Sequence, residues 1–249
     1  MLSIIKAEYF KLFKGKTIKI LMFFSLVISL LFVFVPMAIE KVAGPAIPYK
    51  IYFASLATPL LSMFVAIIVS DNVSNEYSEG TNKNTLAYGI RRKDLYIARF
   101  VVNVIATTIC IAIMSILSVV IFTIIKGWRQ PFEIAQIITM AKAFLGNIIL
   151  SSSMLAVIMV ISTLVKSNGS TISISIVLYL ILALVLQQFA GFNKILAFLY
   201  QISVAYNIGI ASSADAPSLD FVKAIIIGLV WIVVALAVGI STFKKQEIK

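Results

Sequence analysis

The chain alternates long apolar runs with short polar segments, and six of the runs are long enough to cross a membrane. They are residues 20–39, 51–69, 100–125, 143–165, 172–190 and 224–243. A helix needs about 20 apolar residues to cross a hydrocarbon core of roughly 30 Å. Because backbone groups in lipid must bond within their own segment, these runs predict helices, and the alternation typical of barrel strands is absent.

Two further segments are partly apolar. In residues 2–16, one helical face carries Leu2, Ile5, Tyr9, Leu12 and Phe13, whereas Lys6, Lys11 and Lys14 lie off it. This pattern is typical of a basic amphipathic helix in the membrane interface, and a frayed basic tail is the alternative. Residues 192–210 are mostly apolar but too interrupted to span, so they predict a re-entrant hairpin before the last span.

The predicted fold is therefore an all-α polytopic membrane protein with a single transmembrane domain over residues 1–249. Composition agrees, because 61% of the residues are hydrophobic and only 12% are charged, against about 25% charged in a soluble domain. The net charge of +11 fits basic loops at anionic lipid, and no nucleic-acid partner is predicted.

The basic residues also predict the orientation. With six spans both termini lie on one side, and that side carries 14 Lys and Arg residues against 7 on the other. Cytoplasmic loops carry the excess of positive charge. The termini and the polar segment 71–99 are therefore predicted to be cytoplasmic, with the hairpin 192–210 outside.

No catalytic site is predicted in this chain. Histidine is absent, Cys110 is the single cysteine, and no span carries a central charge, so no metal site or general acid–base pair is expected. There is also no G-x-x-x-x-G-K-[ST] loop to bind phosphates. Powered transport would therefore need a motor in a second chain.

The polar segment SNEYSEGTNKNTLAYGIRRKDLYIARF carries a motif. It runs from an acidic residue through E-G-T-x-K at 79–83 and an apolar anchor to a basic pair, the positions being Glu76, Glu79, Gly80, Thr81, Lys83, Leu86, Arg91 and Arg92. The order resembles the cytoplasmic loop of ABC-transporter permeases of the type-2 exporter family, with Arg99 where many members have lysine. A plain basic loop that fixes topology is the alternative.

The resemblance implies a bacterial plasma-membrane permease subunit with these eight residues in ATPase coupling. Its implied partners are a separate ATP-binding cassette ATPase that holds ATP and Mg, and a second permease, identical or not. The implied cargo is amphipathic or antimicrobial peptide, as in bacitracin, lantibiotic or phenol-soluble modulin export, or lipid-like molecules. A membrane scaffold or receptor whose basic loop binds a regulator is the alternative function.

Polar positions on the third and fourth spans suggest a translocation path. The candidates are Asn103 and Thr107 on the third span, and Asn147 and Ser151 on the fourth. The alternative is helix–helix packing, because small and hydroxyl residues let membrane helices approach closely.

Overall fold

The computed structural model describes residues 1–40, 47–78, 89–129 and 131–246, apart from the side chains of residues 78 and 180–182. The described residues form α-helices and two π-helical turns, Ser70–Ser74 and Val177–Ile181. The first helices are α1 Leu2–Lys14, α2 Lys16–Ala38, α3 Pro48–Leu56, α4 Leu60–Val69, α5 Asn75–Ser78 and α6 Arg92–Lys126. They are followed by α7 Ile134–Val165, α8 Asn168–Ile176, α9 Leu182–Phe189, α10 Lys194–Ile202, α11 Val204–Ala211 and α12 Ser218–Lys245.

Five helical stretches are long and apolar enough to cross a membrane, namely α2, α6, α7, the run Asn168–Phe189 and α12. Two bent helix pairs also qualify if each is counted as one span, Pro48–Leu56 with Leu60–Tyr77 and α10 with α11. The all-α, multi-pass prediction is confirmed. The count of six stays a prediction, because each bent pair is either a broken span or a re-entrant loop.

The two bends have local causes. Between α3 and α4 the axis turns by 45° at Pro59, which has no backbone N–H to continue the first helix. Between α10 and α11 it turns by 63° at Ser203, whose side chain accepts a hydrogen bond from the backbone N–H of Tyr206. The second bend lies where the sequence predicts the hairpin 192–210.

Helix α7 forms the centre of the bundle and packs most extensively against α12. Gly228 makes this approach possible, because a Cβ there would lie 2.9 Å from Cδ2 of Leu150. The buried side chains of α7 include Leu150, Met154, Leu155, Ile158 and Met159. By contrast, Phe23 on α2 and Val233 on α12 are 63% and 67% exposed, which suits contact with lipid.

The described flanks of the predicted polar segment 71–99 are helical. The π-helical turn, α5 and the first turns of α6 all lie within it, so its two flanks continue the neighbouring helices. Helix α1 ends at Lys14, before Gly15, where the sequence had suggested residue 16. Leu12 is buried, and Ile5 and Phe13 pack against the same core cluster, so much of the predicted apolar face contacts the protein, whereas Leu2 is 76% exposed. Glu8, which lies off that face, is buried as well.

Candidate functional site

Four charged side chains meet where α1, α5 and the start of α6 converge, and we call this place the loop end of the bundle. Arg99 is 1% exposed and donates a hydrogen bond to Glu76, and its Nε lies 3.7 Å from Oε1 of Glu8. Lys11 donates to Glu8 over 2.9 Å and also to Glu76. We call these four residues the charge cluster.

The charge cluster is neutral, because two carboxylates face two cations. Desolvating an unpaired charge costs several kcal/mol, so the three buried members, Glu8, Glu76 and Arg99, depend on their partners. Burial raises the pKa of the Glu8 carboxyl above its ordinary value of 4.5, although the neighbouring Arg99 guanidinium opposes the shift. The cluster therefore joins three helices whose residues are far apart in sequence.

Arg92 ties the start of α6 to the end of α12. Its Nη1 donates to the backbone carbonyl oxygens of Phe243 at 3.1 Å, Lys244 at 2.9 Å and Gln246 at 2.6 Å. The last carbonyls of a helix have no partner within the helix and carry its negative dipole end. A guanidinium satisfies both needs, so the two helix ends are held together.

Gln246 makes two more connections at the same place. Its Oε1 accepts from the hydroxyl of Tyr77 at 2.8 Å, and its Nε2 donates to the carbonyl oxygen of Thr163 at 2.5 Å. Nearby, the hydroxyl of Tyr96 presses against Gly239, where no side chain has room. The flanks before and after residues 79–88 are thus both anchored to α12.

A chain of small polar side chains continues from the π-helical turn. The hydroxyl of Ser74 is 2.7 Å from that of Ser162 and 2.9 Å from that of Thr171. Asn168 donates to Asn75 over 2.6 Å. π-helical turns occur frequently at functional sites. The turn Ser70–Ser74 lies in the second half of the bent pair Pro48–Leu56 with Leu60–Tyr77, so we include that half in the candidate site.

The predicted coupling residues are distributed unevenly. Glu76 and Arg92, two of the predicted coupling residues, have charged partners or acceptors within the chain. Arg91 is exposed at the N-terminus of α6. Glu79, Gly80, Thr81, Lys83 and Leu86 lie outside the described residues. Their role in coupling stays a prediction.

The predicted path residues lie inside the protein. Asn103 accepts a hydrogen bond from Asn72 at 2.7 Å, and Asn147 donates to Ser212 at 3.1 Å. The other two, Thr107 and Ser151, are buried, and their hydroxyls have no hydrogen-bond partner among the described residues. The two asparagines thus make the interhelical bonds of the alternative interpretation, and their role in translocation stays a prediction.

Glu8 is the functional candidate that the sequence interpretation missed. It is the single acidic residue before Glu40, in a segment otherwise rich in lysine. An acid that interrupts a basic amphipathic helix is a usable signal, because it gains nothing from anionic lipid and needs a cation of its own. By contrast, nothing in the sequence around Gln246 indicated that its carboxamide bonds Tyr77 and Thr163.

The long apolar helices, with a buried charge cluster confined to one end, define an all-α multi-pass membrane protein. Residues 6–248 match the family described as ABC-2 family transporter protein, and the chain belongs to that family. It is the permease subunit of an ABC transporter, a membrane component that works with an ATP-binding cassette partner and has no catalytic site of its own. No match was found among curated proteins.

Proposed function

We propose that this permease exports amphipathic peptides out of the cell or its membrane, powered by a separate ATPase that binds ATP and Mg. The observation that supports coupling to the ATPase is the anchoring of both flanks of residues 79–88, and the cargo is argued separately below. Glu76 precedes that segment and is bonded to Arg99 on α6, and Arg92 follows it and is bonded to α12. A segment held in this way is suited to pass a displacement to several helices.

The transmission has a defined physical route. A push on residues 79–88 acts on α5 and on the start of α6, since these are the adjoining elements. The charge cluster passes it to α1, and Arg92 with Gln246 passes it to α12. Buried ion pairs and charged hydrogen bonds are stiff and short, so small displacements are not absorbed between the helices.

The contact with the ATPase falls on the exposed charges beside this route. Arg91 and Lys93 are both exposed at the start of α6, next to the inward-facing Arg92. They can pair with acidic groups of a partner, together with the predicted loop residues Glu79 and Lys83. We expect two permeases and two ATPases per complex, with both permease termini in the cytoplasm of a bacterium.

The choice of cargo follows from the helices. The predicted spans carry no central charge, and their polar residues are amides and hydroxyls. Such walls offer nothing to neutralise a highly charged cargo, whereas an amphipathic peptide can place its apolar face against them. Lipid-like cargo is the second possibility within the same chemistry.

The test is ATP hydrolysis by the permease reconstituted in liposomes with its ATPase. We expect amphipathic peptides to stimulate hydrolysis, and the permease alone to hydrolyse nothing. Charge reversal by Arg91→Glu with Lys93→Glu should abolish the stimulation, and Lys142→Glu, an exposed lysine of α7, is the matched control. Unstimulated hydrolysis in an intact complex would refute the peptide cargo. Failure to bind any ATPase would favour the scaffold or receptor instead.

A further inference from the structure

Two cavities lie side by side at the bent pair of α10 and α11, and Ile202 lines both. Each measures about 360 Å³, within the range of small-molecule sites. One has an almost wholly apolar wall, which includes Val157, Leu178, Leu186, Leu199, Val204 and Trp231. The other has a mixed wall, and we call it the polar cavity because it contains the polar side chains Gln201, Tyr206, Asn207, Asp220 and Lys223 beside apolar ones such as Ile227.

The cavities lie at different depths along α12. Lys223 lines the polar cavity and Trp231 the apolar one, and eight residues separate them on the same helix. A helix rises 1.5 Å per residue, so the two levels are about 12 Å apart. The polar level is nearer the helix start, at the end of the bundle opposite the charge cluster. This is the order of headgroup and acyl chain in a membrane leaflet.

The apolar cavity has no free hydrogen-bonding side chain in its described wall. Trp231 Nε1 donates to the carbonyl oxygen of Ile202 at 2.9 Å, and the hydroxyl of Ser203 donates to the backbone carbonyl oxygen of Tyr200 at 2.6 Å. The hydroxyl of Tyr179 points to the carbonyl oxygen of Met154 at 3.4 Å. A peptide backbone placed there would leave its own polar groups unsatisfied, at a cost of several kcal/mol. A hydrocarbon chain has no such groups.

The polar cavity offers charges of both signs. Lys223 and Asp220 form an exposed ion pair at 3.0 Å, one turn apart on α12. The amine can bind a phosphate oxygen, and the carboxylate can bind the ammonium of a zwitterionic headgroup. Gln201 and Tyr206 add further polar groups to the same wall.

We propose that these two cavities form one phospholipid site, with an acyl chain in the apolar cavity and the zwitterionic headgroup at Asp220 and Lys223. The molecule lies over Ile202, the residue common to both walls. The occupant is a phospholipid of the surrounding leaflet, bound as a resident of each permease chain. The site is independent of the cargo and of the ATPase.

The experiment counts phospholipids on the detergent-purified chain by native mass spectrometry, after exchange into lipid-free detergent and addition of phosphatidylethanolamine. We expect one tightly held molecule per wild-type chain. Ala205→Phe fills the apolar cavity, which Ala205 lines, and should reduce the bound fraction at least tenfold. Val233→Phe, on the exposed face of α12, is the control and should bind as the wild type does.

A second variant separates loss of the site from loss of the fold. Lys223→Ala removes an exposed charge and should weaken binding of phosphatidylethanolamine several-fold with an unchanged melting temperature. Equal lipid retention by Ala205→Phe and Val233→Phe would overturn the proposal. So would binding of an amphipathic peptide that competes with the lipid for wild-type chain but not for Ala205→Phe.

Discussion

Arg92 donates a hydrogen bond to the backbone carbonyl oxygen of Gln246 at 2.6 Å, and thereby joins the start of α6 to the end of α12. The same nitrogen reaches two earlier carbonyls of the last turn of α12. The adjacent Arg91 is exposed. Two neighbouring arginines thus have opposite surroundings, which allows their roles to be separated by mutation.

Replacing Arg92 by glutamine should loosen the end of α12. A charged hydrogen bond contributes about 1.5–3 kcal/mol where it is buried, and Arg92 is partly exposed, so we expect a loss of about 1–2 kcal/mol. Limited proteolysis should then cut the α12 end faster. Arg91→Gln is the control and should leave both the cleavage rate and the melting temperature unchanged. Identical behaviour of the two variants would contradict the contact.

Removing Arg99 should destabilise the loop end strongly. Arg99→Met leaves Glu8 and Glu76 buried with Lys11 as their remaining cation, and breaking a buried ion pair in this way costs about 3–5 kcal/mol. Adding Glu8→Gln to this variant should recover part of the loss. Thermal unfolding of the purified protein measures both effects, with Lys6→Met, an exposed lysine of α1, as control. If the two substitutions were simply additive, the charge cluster would not act as a unit.

Acidity should strengthen the docking of α1. The pKa of Glu8 is higher in the folded protein than its ordinary value of 4.5, because burial disfavours the charged carboxylate. The folded state therefore binds its proton more tightly, and this contribution to stability is present below pH 4.5 and lost as pH rises through the raised pKa. Melting curves from pH 4.5 upward should show the decline. In Glu8→Gln this part of the decline should disappear.

Adding a methyl group at Gly239 should push α12 away from α6. A Cβ at this position would collide with the hydroxyl of Tyr96, and overpacking of this kind costs about 1–3 kcal/mol. Gly239→Ala should therefore lower the melting temperature, whereas Gly209→Ala, with open space around it, should not. Tyr96→Phe removes the hydroxyl but keeps the ring carbon Cζ, which is 2.5 Å from the same position, so it should restore a small part of the loss. Equal melting temperatures for Gly239→Ala and Gly209→Ala would contradict the close contact.

Asn103 provides a test of the predicted path. Asn103→Ala leaves the amide of Asn72 without its partner at 2.7 Å, and interhelical hydrogen bonds in membranes contribute about 0.6–2 kcal/mol. We expect a lower melting temperature with unchanged peptide selectivity in the transport assay. Altered selectivity at unchanged stability would instead assign Asn103 to the path.

The spans were predictable because the rule that creates them is local. An apolar run such as 224–243 must be helical in lipid wherever its neighbours lie, and α12 contains it. The interruption of the apolar stretch 192–210 by polar residues indicated in the same way that this stretch does not form one straight helix. Periodicity and composition carry this information within a window of about 20 residues.

The charge cluster was not predictable, since its members are distant in sequence. Glu76 is 65 residues from Lys11 and 23 from Arg99, and no local pattern pairs them. The sequence interpretation assigned the charged residues beside the polar loop to contacts with another protein, because charged side chains are mostly exposed on the surface. Glu76 is buried because α1, α5 and α6 meet at its side chain, and Arg92 points inward because the end of α12 lies beside it. The sequence pattern of a single segment contains no information on how distant helices meet.

The long sequence separation of these partners also determines the order in which the protein can assemble during synthesis. Glu8 is synthesised early, in a helix that can rest on the membrane surface, yet its cation on α6 follows 91 residues later. The bond between Tyr77 and Gln246 closes a loop of 169 residues and waits for α12 to emerge. Insertion of the hydrophobic helices therefore precedes assembly of the polar end, which becomes complete only after the ribosome has delivered the last turn of α12.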